Sequence, residues 1–211
     1  MPDFVIEDGC RGVVCGVDEA GRGPLAGPVV AAAVVIDRAC FSEELRDNLD
    51  DSKLLRRGMR EACLDALRHC ARIGVGAASV REIDRINILR ASLLAMSRAV
   101  AALGVRPDIA LIDGNMTPPA LPCPARTIVG GDGLSFSIAA ASVVAKVTRD
   151  RIMRALAARH PGYAWDTNVG YSTRAHFAAI AAFGITVHHR RSFAPVRVAA
   201  AGEPINLELN L

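Results

Sequence analysis

The chain has 211 residues, 51% of them hydrophobic and 22% charged, which fits one compact domain or one domain plus a small appendage and excludes a disordered polypeptide. Net charge is only +3, and no apolar run approaches the ~18 residues that span a bilayer, so a membrane protein is not expected. The opening residues MPDFVIEDGC lack a basic-then-apolar leader, and the six cysteines form neither a Cys-x-x-Cys pair nor a zinc-spaced group with histidine. Reduced thiols and a cytoplasmic location are therefore expected.

In chain order, residues 12–18 (GVVCGVD) are apolar and β-branched and predict a strand. Gly21, Gly23, Pro24, Gly27 and Pro28 then force an irregular turn. Val29 to Ile36 predicts a second strand, near enough in sequence to pair antiparallel with the first. Met59, Cys63, Leu67 and Cys70 fall at helical spacing within 56–72. Ile73 to Val80 predicts a third strand, Ile88 to Leu103 a helix stopped by Gly104, and Asp108 to Asp113 a short buried strand broken by Gly114-Asn115. Met116 to Pro124 holds four prolines and is a loop. A strand is expected at Thr127 to Val129, and one or two helices over 135–158, where Ala139 to Ala141 would let a helix lie close to a sheet. His160 to Ser172 is expected as loop, Thr173 to Phe183 as helix, and Ala199 to Leu211 as a loose tail. Strands first, then helices alternating with short strands, imply an α/β chain with helices packed on a mixed sheet.

Four acids stand at element ends beside flexible backbone. Asp18 and Glu19 close the first strand, Asp113 closes the DIALID strand, and Asp132 lies among Gly130, Gly131 and Gly133. Ligands in open α/β sheets gather at strand ends. If the first and fourth strands run parallel and adjacent, Asp18 and Asp113 end at one edge of the sheet. Adjacent strand residues point to opposite faces, so Asp18 and Glu19 share one site only if the strand breaks there, at Ala20-Gly21. Clustered carboxylates raise one another's pKa unless a counter-charge is present. A hard divalent ion with oxygen ligands is the natural partner, and two such ions ~4 Å apart suit phosphodiester hydrolysis. Any one of these acids alone could be a turn or helix cap.

Charge is distributed unevenly. Lys146 to Arg197 holds nine Lys/Arg, two acids and four of the five histidines. One basic side suggests an anionic partner, although solvated surface arginines would give the same count.

The run VDEAGRGPLAGPV at 17–29 closely resembles the signature of the ribonuclease HII (type 2 ribonuclease H) family. So do DSKLL at 51–55, IDGN at 112–115, GGDGLSFSIAAASVVAKVTRD at 130–150, GYST at 170–173 with His176, and HRRSF at 189–193. The resemblance covers about residues 12–195, in the family's order. It implies a ribonuclease H-like mixed five-stranded sheet flanked by helices: a catalytic core at 1–158, a small C-terminal helical extension packed on it at 159–198, and a tail at 199–211. It also implies a monomeric endoribonuclease, with cleavage 5′ to a ribonucleotide in RNA·DNA hybrids and in DNA duplexes holding one ribonucleotide. The ends left would be 3′-hydroxyl and 5′-phosphate, by two-metal-ion catalysis with Mg²⁺ or Mn²⁺.

The family's metal-binding acids fall on Asp18, Glu19, Asp113 and Asp132, and Asp150 is expected to be structural. Its Gly-Arg-Gly element falls on Gly21, Arg22 and Gly23, where backbone could approach a ribose 2′-hydroxyl closely. Its tyrosine falls on Tyr171, whose ring could stack on the next sugar and sense an RNA-to-DNA junction. Lys53, Ser142, Lys146 and His176 match positions expected near phosphates, which give affinity without sequence preference. Arg190 and Arg191 are expected to brace the extension or touch backbone. Many relatives carry Lys where Gly131 stands, and no sliding-clamp peptide is evident in the tail.

Three competing functions are separable. The early glycines are spaced G-x-G-x-x-x-G, one residue too long for a dinucleotide fingerprint. A silent nucleic-acid-binding module would explain the basic segment but not four acids. A nuclease of the same fold with another substrate would not need the Gly-Arg-Gly element or Tyr171.

Overall fold

A computed structural model describes residues 2–50 and 56–203. Five strands form one mixed sheet: β1 (Val14–Ala20), β2 (Val29–Ile36), β3 (Ala71–Ala78), β4 (Ile109–Asp113) and β5 (Ala125–Ile128). Their order is β3-β2-β1-β4-β5, with β1 in the centre. β1 pairs antiparallel with β2 and parallel with β4, and β4 pairs parallel with β5. The middle of the sheet is apolar on both faces. Val17, Val30, Ala32, Val34, Leu111 and Ile112 have no exposed surface, and each large side chain among them contributes ~1.5–3 kcal/mol by leaving water.

The helices are α1 (Val5–Asp8), α2 (Glu43–Asp50), α3 (Arg57–Cys70), α4 (Val80–Ile86), α5 (Ile88–Ala101), α6 (Phe136–Arg159), α7 (Trp165–Asn168), α8 (Arg174–Phe183) and α9 (Ala194–Ala200). Two compact units result: Met1–Ala20, Val30–Ala77 and Ser92–Val147 in one, Gly21–Val29, Ala78–Ala91 and Thr148–Leu211 in the other. The glycine-rich turn and α4 thus group with the C-terminal residues, and α6 runs through both units.

In the first unit, α2, α3 and the first half of α6 share a core with β2. Leu45, Leu49, Leu64, Leu67, Val143, Val144 and Val147 are buried together with Ala32 and Val34. The alanines at 139–141 have no exposed surface, as their small size predicts. Gly16 completes the close approach, since a Cβ there would strike the α6 backbone at Ser137. Phe4, Phe41 and Phe136 pack edge-on or tilted, with centroids 4.9–5.4 Å apart.

The N-terminal residues hold the start of α6. Asp3 N–H donates to Leu134 O at 3.2 Å and Asp3 O accepts from Phe136 N–H at 3.1 Å. Glu7 is 5% exposed. Its Oε1 accepts from the Ser135 hydroxyl at 2.7 Å and from the Ser137 hydroxyl and N–H at 2.7 and 3.0 Å. The Glu7 side chain there satisfies one amide, that of Ser137, among those a helix start leaves open.

The second unit is built around Met153, Tyr163, Trp165, Phe177, Ile180 and Val196, with Leu25 and Ala26 from the glycine-rich turn. Leu25 N–H donates to Gly170 O at 2.8 Å, and Arg190 N–H donates to Leu25 O at 2.8 Å.

Several boundaries and elements differ from expectation. The third strand begins at Ala71, directly after α3, because no loop residue separates them. The residues expected as loop at 160–172 include α7, and the first residues expected as tail, Ala199 and Ala200, are the end of α9. The short helices α1, α2 and α4 were not anticipated. All six cysteines are free. Among the described residues no helix is long and apolar enough to cross a membrane.

Candidate active site

The parallel register of β1 and β4 brings two acids to one edge. Pairing runs from Val14↔Ile109 to Val17↔Ile112, so Asp18 and Asp113 each stand one residue past the last rung. On its other side β1 runs past Asp18 and ends at Ala20, where the sequence places its break. It stays paired with β2 through Asp18↔Ala32, Glu19↔Ala31 and Ala20↔Val30. The all-apolar β2 offers a partner along this whole length, while β4 ends. The acids therefore lie where β1 has lost one neighbour and kept the other.

Asp18 is 6% exposed. Its Oδ1 accepts from Glu19 N–H at 2.7 Å. Burial and the charge of Glu19 hold its carboxyl well above the usual carboxylate range; a Ser142 hydrogen bond opposes this, and the charge of Asp113 adds to it. Asp113 Oδ1 accepts from Gly131 N–H at 2.7 Å. That bond fixes the turn Gly131–Gly133, in which Asp132 is buried. The structure thus couples Asp18, Glu19 and Asp113 directly, and ties Asp132 to Asp113 through its neighbouring residue.

These are hard oxygen donors around a carboxyl disfavoured as an anion, so they fit a divalent cation. Among the described residues no three His, Cys, Asp or Glu side chains are grouped to enclose a metal by themselves.

The phosphate candidates separate. Lys53 lies outside the described residues. Ser142 and Lys146 are both half-buried, one turn apart on α6. Ser142 hydrogen-bonds Asp18 and lowers its carboxyl, which places it beside the carboxylates. His176 is fully buried, so it is no phosphate contact.

His176 instead belongs to a closed network in the second unit. Thr186 N–H donates to His189 Nδ1 at 2.9 Å, which places the His189 proton on Nε2. The Tyr171 carbonyl lies 2.9 Å from His176 Nδ1 and can only accept, so Nδ1 carries the proton there. His176 Nε2 then accepts from Trp165 Nε1–H at 3.0 Å and from His189 Nε2–H at 3.1 Å. Both imidazoles are neutral. Burial and the neighbouring His176 lower His189 to about 3, and burial lowers His176.

The Gly-Arg-Gly turn lies in the same unit. Gly21 is buried at φ +96°, and a Cβ there would overlap the Arg149 side chain. Only glycine meets both demands. Arg22 and Gly23 are exposed. Tyr171 is 43% exposed, and its Cε1 would sit 3.7 Å from a Cβ on Gly23. Tyr171 and the turn therefore come together. Two residues beneath them, Arg149 and Arg190, have no exposed surface.

The model of the family "Ribonuclease HII" matches residues 15–196. The chain belongs to the ribonuclease HII family. A ribonuclease HII of Parvibaculum lavamentivorans is 60% identical over 200 residues, covering 93% of this chain and 73% of that one. One of Paramagnetospirillum magneticum is 57% identical over 196 residues, covering 93% and 97%. Ribonuclease H2 from Pyrococcus horikoshii OT3 superposes with a TM-score of 0.74 at 28% identity, covering 90% of this chain and 97% of that one. Membership of the ribonuclease HII family makes this chain an endoribonuclease of the H class.

Proposed function

We propose that the chain hydrolyses the phosphodiester 5′ to a ribonucleotide, in RNA·DNA hybrids and in DNA duplexes with a single embedded ribonucleotide. The products carry 3′-hydroxyl and 5′-phosphate ends. The observation that carries this reading is buried Asp18 beside Glu19 and Asp113 at the shared end of β1 and β4. A carboxyl so disfavoured as an anion is suited to a cation and unsuited to bare phosphate.

Asp18, Glu19, Asp113 and Asp132 would hold two divalent ions, Mg²⁺ or Mn²⁺. Bound there, such ions supply positive charge that activates the attacking water and steadies the leaving oxygen. Ser142 holds Asp18 by its hydroxyl, and Gly131 holds Asp113 by its N–H. The Gly21-Arg22-Gly23 backbone reads the ribose 2′-hydroxyl, the group that separates RNA from DNA. Tyr171 stacks on the following sugar and senses the junction. Lys53 and Lys146 serve phosphates, and His176 positions Tyr171 through its carbonyl. The chain works as a monomer in the cytoplasm.

The test is a labelled DNA duplex carrying one ribonucleotide, incubated with Mg²⁺ or EDTA beside an all-DNA control. A metal-dependent nick 5′ to the ribonucleotide alone is expected. Cutting only of a long RNA·DNA hybrid would keep the acids and reject the roles of the Gly-Arg-Gly turn and Tyr171. No cut on either would favour a silent binding module.

A further inference from the structure

One side chain ties down the carbonyl oxygens on both sides of the glycine-rich turn. Arg190 Nη2 donates to Gly21 O at 2.6 Å and to Pro28 O at 3.2 Å. Its Nη1 donates to Arg22 O at 2.9 Å, and its Nε to Gly27 O at 2.9 Å. Arg149 joins it: Nε, Nη1 and Nη2 donate to Pro28 O, Val169 O and Ala26 O at 3.0–3.1 Å. Only arginine offers five donors in one rigid plane and no acceptor. A lysine would aim three donors from a single point and could not span four carbonyls.

A trans peptide carries its N–H opposite its C=O, so fixing the carbonyls of Gly21 and Arg22 also fixes the amides that follow them. Burying a charge among neutral acceptors is costly, and a well-packed apolar residue commonly serves packing equally well. Burial and then Arg149 push Arg190 down to about 9. Two buried guanidiniums bonded to these carbonyls hold them at fixed directions, which apolar packing does not do.

We propose that Arg190 is a positioning residue for ribose selection: its four bonds set the peptide orientation of Gly21-Arg22-Gly23, and the preference for a ribonucleotide depends on it although it touches no substrate. This inference rests on the function proposed above.

The test uses the full chain with Arg190→Lys, and Arg190→Gly with and without added guanidinium. In Arg190→Lys, hydrogen exchange of the amides at 21–27 rises ~10-fold. On the single-ribonucleotide duplex kcat falls ~100-fold, as expected for displaced positioning groups. Affinity for an all-DNA duplex stays within ~2-fold, because phosphate contacts are intact. Millimolar guanidinium restores part of the lost kcat in Arg190→Gly, which loss of folded protein would not allow. Wild-type exchange and kcat in Arg190→Lys would overturn the proposal. So would a fall in kcat that only tracks the folded fraction, or failure of both variants to fold even with guanidinium. The exchange readout needs no substrate. Faster exchange at the turn, in a protein whose wild type shows no ribonucleotide preference, would overturn the ribonuclease reading and leave the hold of Arg190 on the turn standing.

Discussion

Asp113 Oδ1 accepts the Gly131 N–H at 2.7 Å, so the acid ending β4 also fixes the turn that presents Asp132. Residues 18 positions apart become one unit. Asp113→Asn keeps a side-chain oxygen for that bond but removes a charge. It is expected to abolish cleavage with folding intact. Turnover near the wild-type level would remove Asp113 from the metal site.

Asp18→Asn should separate stability from activity. Its carboxyl is raised by burial, Glu19 and Asp113, so at neutral pH the folded state carries an unfavourable anion. Neutralising it should raise the Tm of the metal-free protein by ~2–4 °C for each kcal/mol relieved, while abolishing cleavage. Calorimetry in EDTA checks the first part, and a fall in Tm would contradict this account of Asp18.

The same logic fixes how cation binding varies with pH. A raised carboxyl must lose its proton before a cation can bind. Apparent Mg²⁺ affinity should therefore rise with pH through the acid range, most steeply above the ordinary carboxylate pKa. Titration calorimetry from pH 5 to 8 would show it, and a flat profile would argue against Asp18 as a ligand.

Tyr171→Ala should impair a single-ribonucleotide substrate more than a long RNA·DNA hybrid, where many ribonucleotides offer alternatives. Base and sugar stacking is worth ~1–3 kcal/mol, or roughly 5- to 150-fold in kcat/KM. Equal losses on both substrates would reject junction sensing.

Acid should unfold the protein partly through its histidines. His189 is lowered from 6.5 to about 3, and a depressed folded pKa means stability present above 6.5 and lost as pH falls toward 3. The loss is up to ~1.4 kcal/mol for each pH unit in that window. Urea unfolding from pH 7 to 4 should show this slope, and His189→Gln should flatten it. An unchanged slope would mean that another group carries the proton.

The strands near the acids were legible because β1, β2 and β4 are continuous apolar runs, and a two-sided buried strand has no other composition. The acids were legible because Asp113 and Asp132 sit beside glycines, and Asp18 and Glu19 come just before the glycine-rich turn, near element ends. The conditional pairing of the first and fourth strands is the observed one. The pairing of β1 with β2 past Asp18 was not legible, since it depends on a β2 partner still paired where β4 stops. α4 carried a readable start signal, the Ser79/Glu82 capping box, but the strand pattern before it ran into Val80. The burial of His176 was not legible, because side-chain direction on a helix is set by its packing. The four carbonyls on Arg190 come from a turn more than 160 residues away in sequence, which no local pattern records.

Glu7 and Asp3 hold the first turn of α6 from the far end of the chain. The leading residues are thus a structural part, and recombinant forms should respect them. A chain trimmed to begin at Val13 would keep Asp18, Glu19, Asp113, Asp132 and every strand. It would nonetheless uncap the helix that carries Ser142 toward Asp18. Affinity tags are better placed at the C-terminal side, where they would leave this clamp untouched.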